Sequence, residues 1–278
     1  MCTVSWCHSS HGLDLLFSRD ESLERPMAEP PVVDRYEGLS TVMPIDPLGG
    51  GTWIAANDRG LAVMILNDYR YASRVPPGDA QSRGLLVRRL SQMSNVAQVR
   101  NCLFRETLTY FPPFLLLAFE PERISPTHWA WDGETLREST LTAGSCISTS
   151  SWLPRLVPGL RRLLIRRALG HGQPDQAFSK LLSLHRNIEP SLPPRLAVAM
   201  RREGRETVSL THLRVGKSGV IMRYWPGHPS ESHSNDPFQA SIGLNRRPTE
   251  AWMMKTTLKV TNTRPGCPCS KATNRPAP

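Results

Sequence analysis

The sequence predicts a layered α+β domain, and three observations carry that expectation. Segments of strand and helix periodicity follow one another as strands, helices, strands, helices, strands. The run Leu61-Ala-Val-Met-Ile-Leu66 is apolar throughout, as expected of a strand covered on both faces, and it follows residues 52–57 through the turn Asn57-Asp-Arg-Gly60. The helical segments are amphipathic, so each needs a sheet face against which to bury its apolar stripe.

In chain order, residues 2–6 (Cys-Thr-Val-Ser-Trp) and 13–18 read as strands joined by the polar loop His8-Ser-Ser-His-Gly12. Asp20 to Met43 is charged and proline-punctuated and reads as loop. Glycines 49–51 are not followed by Lys-Ser/Thr or by a helix start, so they read as close backbone packing rather than a phosphate loop. Leu85, Leu86, Leu90 and Met93 sit at helical spacing, as do Val96, Val99 and Leu103 behind Asn95, a suitable N-cap. Strands return at 114–119, 127–131 and 135–140, with Trp129 and Trp131 on one face as core residues. Residues 155–169 predict a helix with Leu156, Leu160, Leu163 and Leu164 inward and Arg161, Arg162 and Arg166 toward water. A helix through Phe178 and His185 starts at Pro174-Asp175. Strands at 207–213 and 219–225 flank Lys217-Ser-Gly219. The composition then changes to a Pro/Ser/Asn-rich linker type, which predicts a domain over 1–229 and a poorly ordered C-terminal segment over 230–278.

A chain of 278 residues, 39% hydrophobic and 21% charged, suits one globular core. The net charge is +10, and 29 of the 34 basic residues are arginine (34 minus five lysines). These arginines are spread along the chain without interleaved aromatics, which argues against nucleic-acid binding. The N-terminus lacks the basic and apolar regions of a signal peptide, and no run approaches the ~20 apolar residues of a membrane span. The expectation is a cytoplasmic protein with no integral membrane segment and with reduced thiols at Cys2, Cys7, Cys102, Cys146, Cys267 and Cys269. Cys7, His8 and His11 lack a fourth partner, and Cys267-Pro-Cys269 has the wrong spacing for zinc, so no metal site is expected. None of these patterns sets an oligomeric state.

Cys2 is the residue with the most chemistry available to it. A small residue at position 2 permits removal of the initiator methionine, leaving a thiol and a free α-amine on one residue. Their reference pKa values, about 8.5 and about 7.7–8.0, suit a nucleophile with a built-in base.

Met1-Cys-Thr-Val-Ser-Trp6, Phe17-Ser-Arg-Asp-Glu21 and Arg25-Pro26 resemble the opening blocks of the NRDE family, also called the transport and Golgi organisation 2 family. Gly50-Gly-Thr-Trp-Ile-Ala-Ala-Asn57 and Gly60-Leu61 to Leu66-Asn67 match its next block, while Ser148-Thr-Ser-Ser-Trp152 and Thr207-Val-Ser-Leu-Thr-His212 are similar to later ones. The resemblance spans about residues 1–225. Ser18 stands where the family has asparagine; Arg19, Asp20 and Glu21 are kept.

The resemblance implies an N-terminal-nucleophile (Ntn) hydrolase-like fold, a four-layer αββα sandwich. Cysteine members of that fold cleave non-peptide amides. On that pattern Cys2 is the nucleophile, Arg19 favours its thiolate, Asp20 orients the α-ammonium, and Asn67 contributes to the oxyanion hole. In the acylases the aspartate lies three residues after the arginine; here it is adjacent. Neighbouring strand residues point to opposite faces, so Arg19 and Asp20 share a site only if the strand ends or bulges there. The implied substrate is a small acylated metabolite, with no cofactor. The resemblance also admits a non-catalytic binding or trafficking protein for a lipid or haem-like ligand, with Cys2, Cys7, His8 or His11 as haem-ligand candidates.

Overall fold

A computed structural model describes residues 2–74, 78, 80–121, 123–141, 146–170, 174–187, 192–231 and 236–245. The described residues form a mixed domain of antiparallel sheets and few helices. Strands β1 (Cys2–Ser9) and β2 (Gly12–Ser22) form a hairpin. They share a seven-stranded sheet with β10 (Cys146–Thr149), β11 (Arg201–Arg202), β12 (Arg205–Val215), β13 (Gly219–Pro226) and β14 (Phe238–Gly243). Its order is β10-β1-β2-β12-β13-β14, with β11 paired to β12. A second seven-stranded sheet runs in sequence order through β3 (Glu29–Tyr36), β4 (Leu39–Ile45), β5 (Ile54–Asn57), β6 (Ala62–Asn67), β7 (Phe114–Phe119), β8 (Thr127–Trp131) and β9 (Leu136–Thr140). The helices are α1 (Arg83–Leu90), α2 (Val96–Arg105), α3 (Val157–Leu169) and α4 (Pro174–Arg186).

Period-two alternation divides the core. Val4, Trp6, Leu15 and Phe17 from the first sheet pack with Ile54, Ala56, Met64 and Leu117 from the second. The remaining face of the second sheet, with Val63, Ile65, Leu116, Trp129 and Trp131, packs on Leu86, Val87, Val99 and Leu103 of α1 and α2. The remaining face of the first, with Cys7, Leu16 and Leu210, packs on Ile165 of α3 and Leu181 of α4. Asn95 caps α2 by accepting from the Gln98 backbone N–H at 2.9 Å, as expected.

Three expectations are corrected. The stretch read as loop contains the hairpin β3–β4, turned by Glu37 and Gly38 at φ 48° and 80°. Such double positive-φ turns match strand twist. Pro30 and Pro31 fit because β3 is an edge strand and its register shifts between Glu29 and Val32. In α3, Val157, Arg161 and Ile165 form the buried stripe, while Leu156 and Leu163 are more than 60% exposed. Arg161 therefore faces inward, not toward water. Finally, β14 lies beyond the boundary drawn at 229 and pairs with β13 over six residues, with Ala240 and Ile242 packed against the inter-sheet core. Cys267 and Cys269, like the rest of the chain from residue 246, lie outside the described residues.

Candidate active site

Glycine-rich packing builds one wall of the site. A Cβ on Gly51 would stand 2.3 Å from the backbone of Gly84, and the Thr52 N–H donates to Gly84 O at 3.1 Å. The glycines thus let the first turn of α1 lie against the strand region that carries Trp53, the close approach expected of them.

Cys2 begins β1, an interior strand, with Arg19 of β2 directly opposite on one side and Thr149 of β10 on the other. Directly opposed residues in antiparallel strands share a face. Cys2 and Arg19 therefore project together on the side facing the second sheet, and both are buried. The Arg19 guanidinium lies 4.6 Å from the centre of the Trp53 ring, 3.6 Å from Asp46 Oδ2 and 3.9 Å from Glu21 Oε2. Arg25 holds the same Asp46 oxygen at 2.5 Å.

Burial dominates the Cys2 thiol and pushes it up to about 11; the amino-terminal charge opposes it most, the Asp20 charge adds to it, and a backbone hydrogen bond from Asp20 and the Arg19 charge oppose it further. Arg19 acts in the expected direction but is outweighed. Arg83, at the start of α1, was not foreseen. Burial lowers its guanidinium, the charges acting on it include those of Tyr69, Cys2, Glu21 and Arg25, and its Nη1 donates to Pro113 O at 3.0 Å.

β2 neither ends nor bulges at Arg19-Asp20. It continues to Ser22, and the irregularity lies in its neighbour β12, between Thr207 and Ser209. Asp20 consequently projects from the helix-facing side. There Arg161 Nη1 meets Asp20 Oδ2 at 3.0 Å, and the Thr207 hydroxyl donates to Asp20 Oδ1 at 2.6 Å. Arg161 Nη1 also donates to Thr3 Oγ1 at 3.0 Å, and both ionic side chains are fully buried. Arg161 is the second residue missed. Its signal was its place between Val157 and Ile165 at i±4 spacing.

Asn67 ends β6 opposite Phe114, on the face toward α1 and α2, and its amide donates to Tyr69 Oη at 2.9 Å. The structure therefore groups Cys2 with Arg19 and sets Asp20 behind them, while Asn67 is engaged elsewhere. Ser18, at the position of the family's asparagine, sits 2.7 Å from Nδ1 of His185, whose Nε2 lies 2.8 Å from Ser5 Oγ. Burial pushes His185 down to about 3, so the ring is neutral.

The haem-ligand candidates do not converge. Cys7 lies on the helix-facing side of β1, and His8 is six residues along it from Cys2, roughly 20 Å at strand rise. No group of three or more His, Cys, Asp or Glu side chains with metal-binding geometry occurs among the described residues. No helix there is long and apolar enough to cross a membrane.

This architecture is the Ntn-hydrolase fold. The chain is similar to two crystal structures of variants of a conjugated bile acid hydrolase from Clostridium perfringens. One is 15% identical with a TM-score of 0.50, the match covering 89% of this chain and 94% of that one. The other is 13% identical with a TM-score of 0.52, covering 95% and 100%. No curated protein matches in sequence. The model of the family Transport and Golgi organisation 2 matches residues 1–208, and the chain belongs to that family.

Proposed function

We propose that the chain is an Ntn amidohydrolase on a four-layer αββα sandwich, cleaving a non-peptide amide of a small acylated substrate. The observation that carries this reading is the register of Cys2 against Arg19 at the first residue of an interior strand, with Trp53 and Asp46 beside them. A nucleophile that is residue one of the mature chain brings its own base.

Removal of Met1 frees the Cys2 α-amine. The amine takes the thiol proton, the thiolate adds to the acyl carbon, and the C–N bond breaks as the α-ammonium protonates the leaving amine. Water, deprotonated by the same α-amine, then releases the acyl group from sulfur as a carboxylic acid. Arg19 supports the thiolate. Asp20 positions the N-terminal end of β1 through its backbone contact to Cys2 and its bond to Arg161. For Asn67 to act as oxyanion donor, its amide must exchange Tyr69 Oη for substrate oxygen. No cofactor enters these steps.

The test is alkylation of Cys2 by iodoacetamide across pH, comparing processed protein with protein carrying an uncleaved N-terminal tag, with intact mass reporting Met1. Processed protein should label at Cys2 near neutral pH. Tagged protein lacks the nearby amino-terminal charge that lowers the thiol and should label only at strongly alkaline pH. Identical profiles would remove the catalytic reading and leave a binding or trafficking protein for a lipid or haem-like ligand.

A further inference from the structure

A concavity of about 310 Å³ is lined by Trp152, Arg195, Arg202, Glu203 and Arg205. It lies beside the Cys2 end of the first sheet. Trp152 follows β10 three residues after Thr149, the partner of Cys2, and Arg205 is opposite Ser22 at the end of β2. Arg205 Nη1 approaches Glu21 Oε1 to 3.8 Å, and Glu21 also approaches Arg19, so one carboxylate links the two places. The charges acting on Arg202 include those of Arg205, Asp20 and Arg161.

Two features of this concavity are costly unless an anion relieves them. Arg202 and Arg205 are directly opposite across β11 and β12, a like-charge pairing that destabilises a sheet. Arg202 Nε is buried without a hydrogen-bond partner among the described residues, although Nη2 donates to Ser151 Oγ at 2.8 Å. Arg195 lies 5.0 Å from the Trp152 ring centre, so an aromatic surface and a third guanidinium complete the wall. Glu203, the one carboxylate of the lining, is exposed at the turn between the two strands.

We propose that Arg202 and Arg205, with Arg195 and Trp152, form a recognition site for an anionic oxygen group, carboxylate or phosphate, carried by the substrate whose amide Cys2 cleaves. Guanidinium forks match the planar geometry of such groups. The placement rests on the amidase reading, since it assumes a substrate reaching from Cys2 to this concavity. The preference for an anion does not.

The two are separable by calorimetric binding to Cys2→Ala protein, which cannot turn over. The probes are N-hexanoylglycine, N-hexanoylethanolamine and N-hexanoylethanolamine O-phosphate. Both anionic probes should bind about tenfold more tightly than the neutral one, the scale of one charge-assisted hydrogen bond. A preference for only one of them identifies the anion. Arg202→Gln and Arg205→Gln should each abolish the preference, whereas Arg167→Gln, on the exposed face of α3, removes the same charge and should keep it. Equal affinity for all three probes, or a preference that survives both pocket substitutions, would overturn the site. Anion-selective binding to Cys2→Ala protein, when Cys2 of the parent alkylates identically with and without a tag, would sustain the site and sink the amidase.

Discussion

Arg19 and Asp20 are neighbours in sequence, yet they belong to different parts of the molecule. Arg19 faces the second sheet among Trp53, Asp46 and Glu21, and Asp46 has Arg25 as an alternative partner. Asp20 faces the helices and is bound by Arg161 and Thr207, with Arg161 also donating to Thr3 and both charged side chains fully buried. Strand alternation alone separates them. The difference teaches that one face of β2 sets Arg19 beside Cys2 and the other anchors the strand to α3. Substitutions on the two faces should therefore differ in kind.

The largest effect should come from breaking the anchored side. Asp20→Ala leaves the Arg161 guanidinium buried with only neutral partners, a loss of about 3–5 kcal/mol. Urea unfolding measures it. The double substitution Asp20→Leu with Arg161→Met removes both charges and should recover most of that loss, because a buried pair is often replaceable by apolar groups of similar volume. If Asp20→Ala unfolds no earlier than the parent, Asp20 is not an anchor and the two faces are alike.

How much of this contrast was legible in the sequence depends on whether a residue's partner is local. β7 and β8 coincide with their apolar and alternating runs, and Asn95 signalled α2, because each is specified by its own neighbours. The hairpin β3–β4 was hidden by Pro30-Pro31 and its charges, which suit an edge strand as well as a loop. Arg161 was hidden because an arginine on a helix is normally solvated. What overrides that rule is Asp20, 141 residues away. The opposition of Arg202 and Arg205 follows from the tight turn at Gly204, φ 65°, and their common location with Trp152 from the sheet order. Cys2 and Arg19 were legible as a pair through family resemblance; their shared face was not, since it depends on register.

An intermediate effect, specific in pH, should arise elsewhere on the helix-facing side. Burial holds His185 at about 3, whereas an unfolded histidine titrates near 6.5. Between those values the unfolded chain binds a proton that the folded chain does not. Stability is therefore complete above about pH 6.5 and falls by about 1.4 kcal/mol per pH unit as pH drops toward 3. His185→Gln keeps hydrogen-bonding capacity toward Ser5 and Ser18 but cannot titrate. Its loss of stability between pH 7 and pH 5 should be smaller than that of the parent by about 2 kcal/mol. Parallel stability curves for the two proteins would show that His185 is protonated in the fold, against its enclosure by two serines.

The smallest effect on stability should follow from Arg19→Met, and it sharpens the comparison most. Methionine retains an apolar stem against Trp53 while losing the cation over the ring, an interaction worth about 1 kcal/mol. Asp46 keeps Arg25 at 2.5 Å, so no carboxylate is stranded. The expected cost in urea is thus about 1 kcal/mol, well below that of Asp20→Ala. Its consequence should appear at sulfur instead. The Arg19 charge lowers the Cys2 thiol and Asp20 raises it, both less strongly than burial does. Arg19→Met should therefore move the pH midpoint of Cys2 alkylation upward in processed protein. A larger stability loss than Asp20→Ala, with an unmoved alkylation midpoint, would make Arg19 the anchor and reverse the roles of the two faces.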